Sequence, residues 1–486
     1  MRRNLFLVPL FSIALGFAQD APPAQQQATD FKGVVLKNRA PVSKEILKVK
    51  FRKPVESKLK NGVELMVLED HRSPTIQVTI DMPASNLNDP ADLAGIGNAT
   101  TAMLRLGTRT KNARQIAETI AELGAGIGFG VGDRNATVTF STLTENLDSV
   151  IDLVADMLFH PTFPQDELDK WKNQQLSQLT QVRTNPGFLA TERFQAVLYP
   201  GDNRSIVLPS PDSIRKITRE QVIAYYDKNF RPEGGRVSVV GDTNARQIAP
   251  KLEKIYANWK GSAPKPPDLP MHGPIADKKI FLIDRPNSVQ TTIYAGNHAI
   301  DRVSPDYIAV QVMNRILGSG PASRLFRNIR EDKGYTYGIG SGFSASHYLN
   351  HFVTSTNVRT EVTGPALEEM LKEFRDIRDR AVPAEELENA KRALVASFAL
   401  STESPAAALR NAVTIKEYGF PADYWDTYPE KISAVTAEEV QRVAQKYIPV
   451  DNIQIVAVGD ASQIREVLAK FGPVEDWDAD GRRVAK

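Results

Sequence analysis

One supersecondary unit is written twice in this chain. The segment "ITREQVIAYYDKNFRPEGGRVSVVGD" begins at Ile217, and "VTAEEVQRVAQKYIPVDNIQIVAVGD" begins at Val435. Thr218 corresponds to Thr436 and Gly241 to Gly459, in both cases 218 positions further on. Each copy opens with a capping box, Thr218 with Gln221 and Thr436 with Glu439, then runs an amphipathic helix, turns, and ends in an apolar strand before Gly-Asp. The correspondence continues upstream, where "FPQDELDKWKNQQLSQL" and "VPAEELENAKRALVASF" each place a proline, Pro164 or Pro383, at a helix entry. A repeat of this length, present twice, predicts two homologous tandem domains.

Each copy starts with strand-like alternation, "GVELMVLED" and "KIFLIDRPNSVQTTIYAG", and continues into long helices without a regular βαβ rhythm. The expected fold is α+β: two tandem homologous domains, each a mostly antiparallel sheet with helices packed on one face, together forming half of a clamshell. The domains are expected at 46–259 and 278–472. They are separated by a proline-rich linker at 260–277 that contains "KGSAPKPPDLPMHGP" and followed by a tail at 473–486. Residues 1–18, with Arg2 and Arg3 ahead of an apolar run, read as a cleaved secretory signal, and 19–45 as a flexible Pro/Gln/Ala-rich leader. Among 486 residues there is no cysteine, which removes disulfides, thiolate zinc sites and cysteine nucleophiles. Export without disulfides points to a bacterial periplasm. The 60 basic and 58 acidic residues leave no field to attract nucleic acid, and no later segment has the length to span a membrane.

Residues able to carry chemistry are few. The six histidines show neither HExxH nor HxxEH spacing, and "HYLNH", His347 and His351, reads as a pair of solvated turn histidines inside a hairpin. No GxSxG elbow occurs. In "ELGAGIGFGVGD" the glycines recur every second residue, so Ile127, Phe129 and Val131 share one strand face and the other carries no side chains. Close packing by a helix, or an extended peptide adding to the sheet edge, would each use such a face.

One constellation is left. "PASRLFRNIREDKGYTYGIGSGF" reads as a helix ending near Asp332, a turn at Gly334, and a strand with Tyr335 and Tyr337 on one face. Arg330 and Tyr337 can then converge as a fixed cation and a hydroxyl donor, able to hold a peptide carbonyl or an oxyanion. The same residue types also fit a helix-terminal arginine paired with Glu331 or Asp332 and a tyrosine buried in the sheet.

Together "SRLFRNIREDKGYTYGIGS", "GIGNATTAMLRLGT" and "ELGAGIGFGVGDRNATVTFSTLTENLDSVIDLVADMLFHPTFPQDEL" resemble the signatures of the pitrilysin-type, or inverzincin, zinc metallopeptidases. That family includes insulin-degrading enzyme and mitochondrial processing peptidase, and the likeness covers about residues 46–470. It implies that the histidines of the HxxEH motif fall on Asn98 and Ala102, the general-base glutamate on Thr101, and the distal glutamate ligand on Gln178. All four are replaced, so no metal is expected in this chain and no peptide hydrolysis by it alone. The family's substrate-binding arginine and tyrosine fall on Arg330 and Tyr337. Some bacterial members are heterodimers in which one subunit holds zinc and the other supplies this pair. The resemblance therefore implies a non-zinc-binding subunit whose HxxEH partner carries the zinc and whose substrate is a peptide. A structural scaffold subunit, like the peptidase-derived core proteins of the respiratory cytochrome complex, and a peptide-binding protein acting alone are the alternatives. The glycine-rich loop of the mitochondrial α-type subunit is absent, because "LGSGPASRLF" passes directly into the helix.

Overall fold

The computed structural model describes residues 49, 51–256 and 259–484, so the expected signal and leader lie outside the described residues. The duplication appears as two six-stranded mixed sheets. The first contains β1 (Val55–Lys58), β2 (Glu64–Glu69), β3 (Thr75–Met82), β4 (Gly126–Val131), β5 (Ala136–Leu143) and β6 (Arg236–Gly241) in the order β1-β2-β6-β3-β5-β4. The second contains β7 (Lys279–Asp284), β8 (Gln290–His298), β9 (Thr336–Ala345), β10 (Asn350–Arg359), β11 (Gln454–Gly459) and β12 (Val474–Trp477) in the order β12-β7-β11-β8-β10-β9. In each, the late buried strand is inserted between two earlier ones, β6 between β2 and β3 and β11 between β7 and β8, parallel to the first and antiparallel to the second. Both capping boxes form, with Thr218 accepting from the Gln221 N–H and Thr436 from the Glu439 N–H. Pro164 and Pro383 are the N-caps of the helices Gln165–Val182 and Ala384–Thr402.

Helices cover one face of each sheet and close two large apolar cores. The opposite faces are covered by exchange. The helix Pro186–Leu198, encoded in the first half, lies on β11 and β8 of the second sheet, where Leu189, Phe194 and Leu198 pack on Phe281, Ile283, Val456 and Val458. In return the helix Pro405–Tyr418 of the second half lies on β6 and β2 of the first sheet, with Leu409 and Ala412 against Met66 and Leu68. The sequence boundaries at 259 and 278 are therefore not boundaries of packing.

Two other expectations change. The tail expected at 473–486 supplies β12, which pairs parallel with β7, and Trp477 takes the Arg193 guanidinium on its ring at 3.5 Å. The proline-rich stretch is free of helix and strand but is tied down, since Asn88 donates to the Lys265 carbonyl and Arg204 to the Pro270 carbonyl. Among the described residues no helix is long and apolar enough to cross a membrane.

Candidate functional site

The stretch "GIGNATTAMLRLGT" forms the helix Ile96–Met103. Its entry requires both glycines. Gly95 has φ of 92°, and a Cβ on Gly97 would lie 2.8 Å from the Tyr225 hydroxyl. The buried Asp89 carboxylate accepts from the Gly95 and Gly97 N–H groups at 3.0 and 3.4 Å, satisfying donors that the helix leaves open. Burial pushes the Asp89 carboxyl up to about 6, against the opposing pull of these N–H groups and of Tyr225.

Nothing on this helix replaces a zinc site. Asn98 is exposed, Ala102 has no donor atom, and the Thr101 hydroxyl is buried and donates back to the Gly97 and Asn98 carbonyls at 3.1 and 3.0 Å. Gln178 is an exposed amide on the neighbouring helix Gln165–Val182. One neutral amide per helix beside an alanine does not fit Zn²⁺, which takes imidazole, thiolate or carboxylate ligands. Among the described residues no group of three or more His, Cys, Asp or Glu side chains is arranged to hold a metal ion.

The histidine pair differs from its sequence reading. His351 lies within β10, buried, where the Tyr199 hydroxyl accepts from the Asn350 N–H and is hydrogen-bonded with His351 Nδ1 at 3.0 Å. His347 is in the turn but half-buried, stacked on Tyr418 at 4.3 Å. Hairpin alternation placed these residues in the right element, but it could not show that Tyr199 and Phe194, arriving from the exchanged helix and the residue after it, would cover β10.

Arg330 and Tyr337 do come together. The predicted helix end at Asp332 is a π-helical segment, Phe326–Asp332, followed by a left-handed turn at Gly334 with φ of 62°. Short π segments recur at functional positions because the extra residue per turn re-aims side chains. This one is held from behind. Arg324 makes a two-pronged pair with Glu386 at 2.9 and 2.6 Å, and Asn328 donates to Glu369 and Glu373. Arg330 is on no such tether. Its guanidinium sits 4.5 Å from the Phe326 ring centroid and 5.2 Å from that of Tyr337, and among the described residues no carboxylate pairs with it. Tyr337 is 91% exposed, so the alternative of a paired arginine and a buried tyrosine does not describe this site. The two tyrosines also part company. Tyr335 packs against the second core, whereas Tyr337 faces outward where Tyr337 and Gly338 oppose the single residue Asn357, a bulge that re-aims the strand.

Both glycine-rich strands, β4 and β9, are the outer edges of their sheets. A Cβ at Gly130, Gly338 or Gly342 would meet nothing within 4 Å, so close packing by a helix is not what these glycines serve. The other face of β4 does turn Ile127, Phe129 and Val131 toward the first core, as alternation required. The same pattern recurs in "YGIGSGF" of β9. The bracing of Arg324 by Glu386 and of Asn328 by Glu369 and Glu373 left no sequence signal, because the partners lie 41 to 62 positions away.

Residues 65–210 match the family "Insulinase (Peptidase family M16)", and residues 216–394 match "Peptidase M16 inactive domain". The chain belongs to the M16 peptidase family. Relatives of this M16 chain include an "Uncharacterized zinc protease YmxG" of Bacillus subtilis, 24% identical over 71% of this chain and 83% of that protein. Another, of Helicobacter pylori, is named "Non-peptidase homolog YmxG" and is 24% identical over 77% of this chain and 86% of its own. Among solved structures, a peptidase M16 inactive domain from Pseudomonas fluorescens superposes with a TM-score of 0.76 at 27% identity, covering 84% of this chain and 98% of that one. A Helicobacter pylori protease shares the fold with a TM-score of 0.74. The chain is thus a non-catalytic M16 family member.

Proposed function

We propose that this chain is the non-zinc-binding subunit of an exported, periplasmic heterodimeric M16 peptidase. In this reading Arg330 and Tyr337 hold a substrate peptide carbonyl and stabilise its developing oxyanion at a zinc site that belongs to an HxxEH partner. The observation that carries it is the presentation of the pair: a guanidinium with no carboxylate partner among the described residues, set between two rings, beside an exposed tyrosine. A scaffold has no use for an exposed tyrosine set on a strand beside a braced π segment, whereas an oxyanion site needs donors fixed before the substrate arrives. The open edge of β9 next to Tyr337 offers main-chain groups to an extended peptide. The reading is tested by affinity purification from a native bacterial extract followed by reconstitution. An HxxEH protein of similar size should be recovered, and peptide hydrolysis should need both chains. Recovery of this chain with itself alone, in cells expressing an HxxEH homologue, would overturn it.

A further inference from the structure

The exchange of helices builds the same junction twice, and the two copies are not alike. On the second sheet the helix Pro186–Leu198 sits on Thr292 and Tyr294 of β8 and on their partners Val458 and Val456 of β11. That junction is closely packed. Phe194 fills it so closely that a Cβ on Gly296 would come within 3.0 Å of the ring. On the first sheet the equivalent register pairs are Gln77 with Val240 and Thr79 with Ser238, and Asp81 follows where the second sheet has Gly296. Here the helix Pro405–Tyr418 stands off, leaving a cavity of about 300 Å³ lined by these residues and by Leu409, Arg410, Thr414 and Glu417.

A polar floor on two central strands is an unfavourable way to seat a helix. The Ser238 side chain is 94% buried by its residue exposure of 6%, and its hydroxyl has no hydrogen-bond partner among the described residues. Asp81 receives one side-chain hydrogen bond, from the Thr137 hydroxyl at 3.0 Å. Two arginines are near these carboxylates: Arg134 donates to the Glu417 carbonyl at 3.4 Å, and Arg236 stands 3.8 Å from the Glu417 carboxylate but is itself drawn to Glu64 at 3.1 Å. The deep end of the cavity thus has two carboxylates and an unused hydroxyl, and its apolar wall is the Leu409 and Val413 side of the helix. Gln77 and Arg410 at the other end are exposed.

We propose that this cavity binds a small organic cation, an ammonium or guanidinium on a short alkyl chain, which seats its charge between Asp81 and Glu417 and donates to Ser238 Oγ. The volume suits one such chain and leaves Arg410 at the mouth to meet an acceptor group on the ligand. The cation comes either from a free amine or from a basic side chain of a peptide.

The test is isothermal titration of the full chain with agmatine and, separately, with N-acetyl-arginine amide, using succinate as an anionic control. One-to-one binding of either cation, absent for succinate, is expected. A lead for the blocked arginine assigns a peptide side chain as the source, and a lead for agmatine assigns a free amine. Asp81→Asn should weaken binding at least about tenfold and Ser238→Ala severalfold. Thr79→Tyr, the residue that the second sheet carries at this position, should abolish it by filling the space. No binding by folded wild-type chain at ligand concentrations on the order of 10 mM, or binding undiminished in a folded Asp81→Asn or Ser238→Ala chain, overturns the proposal.

Discussion

Replacing Phe194 by alanine should destabilise both halves at once. Phe194 comes from the first half of the sequence, is 2% exposed, and packs on Tyr294 and His351 of the second sheet with ring centroids 6.3 and 5.7 Å away. Truncating a fully buried phenylalanine costs about 3–5 kcal/mol, through lost transfer energy and the cavity left behind. Here the upper part of that range applies, because strands β8 and β11 on one side and a helix on the other cannot collapse into the space. The assay is urea unfolding followed by far-UV circular dichroism and by tryptophan fluorescence. Trp171 and Trp259 report on the first core and Trp477 on the second sheet, while Trp425 sits in the junction against the first sheet. The midpoint should fall with unchanged slope and the two probes should stay coincident, since neither half has a covered sheet without the other. A loss under about 1 kcal/mol, or a transition that splits so that Trp477 reports first and Trp259 later, would refute the account of exchanged helices.

In the matching junction, Leu409→Ala should cost less, about 2–3 kcal/mol, because Leu409 already borders a cavity and gives up fewer contacts; paired urea curves measure the difference. Stability should decline on acidification. Burial, reinforced by the neighbouring His298, holds the His351 imidazole down to about 4, so its stabilisation is complete above the unfolded value near 6.5 and is lost as pH falls toward 4. The loss amounts to about 3 kcal/mol, and His351→Gln should flatten the profile of midpoint against pH in that window. Arg324→Ala removes one partner of a largely buried pair and should speed amide hydrogen exchange through 324–335 while leaving β7 and β11 protected. Purified chain should hold no stoichiometric zinc. Introducing Asn98→His, Thr101→Glu, Ala102→His and Gln178→Glu together should create a site that metal analysis detects at about one ion per chain, since both helices are in contact.

The sequence made the internal repeat legible because its signals are local: a capping box, a proline at a helix entry, a buried strand before Gly-Asp. These are settled within a few residues, and the structure places every one as read. The exchange was not legible. "PGFLATERFQAVL" and "PAAALRNAVTIKEY" each carry an apolar face that must be buried, but nothing within a helix says which of two similar sheets will bury it. The same limit hid β12, four residues long and half-buried, and the burial of His351, whose cover arrives from 152 positions away at Tyr199. At the site, the spacing of Arg330 and Tyr337 could be read from the chain. Which of the two readings held was decided by the bulge opposite Asn357 and by the braces from Glu386, Glu369 and Glu373, all of them tertiary.

The proposed action of Arg330 and Tyr337 on substrate in a shared site can be read from one substitution. Tyr337→Phe keeps the ring beside Arg330 and removes only the hydroxyl, and at 91% exposure the change should move stability by less than about 0.5 kcal/mol. The direct measurement is steady-state turnover of a peptide by the heterodimer reconstituted with an HxxEH partner, with assembly checked by sedimentation. The account predicts normal assembly and turnover lowered by about 10²-fold, the size of one lost oxyanion donor. Normal assembly with wild-type turnover would contradict it and leave the pair a structural feature of the second domain.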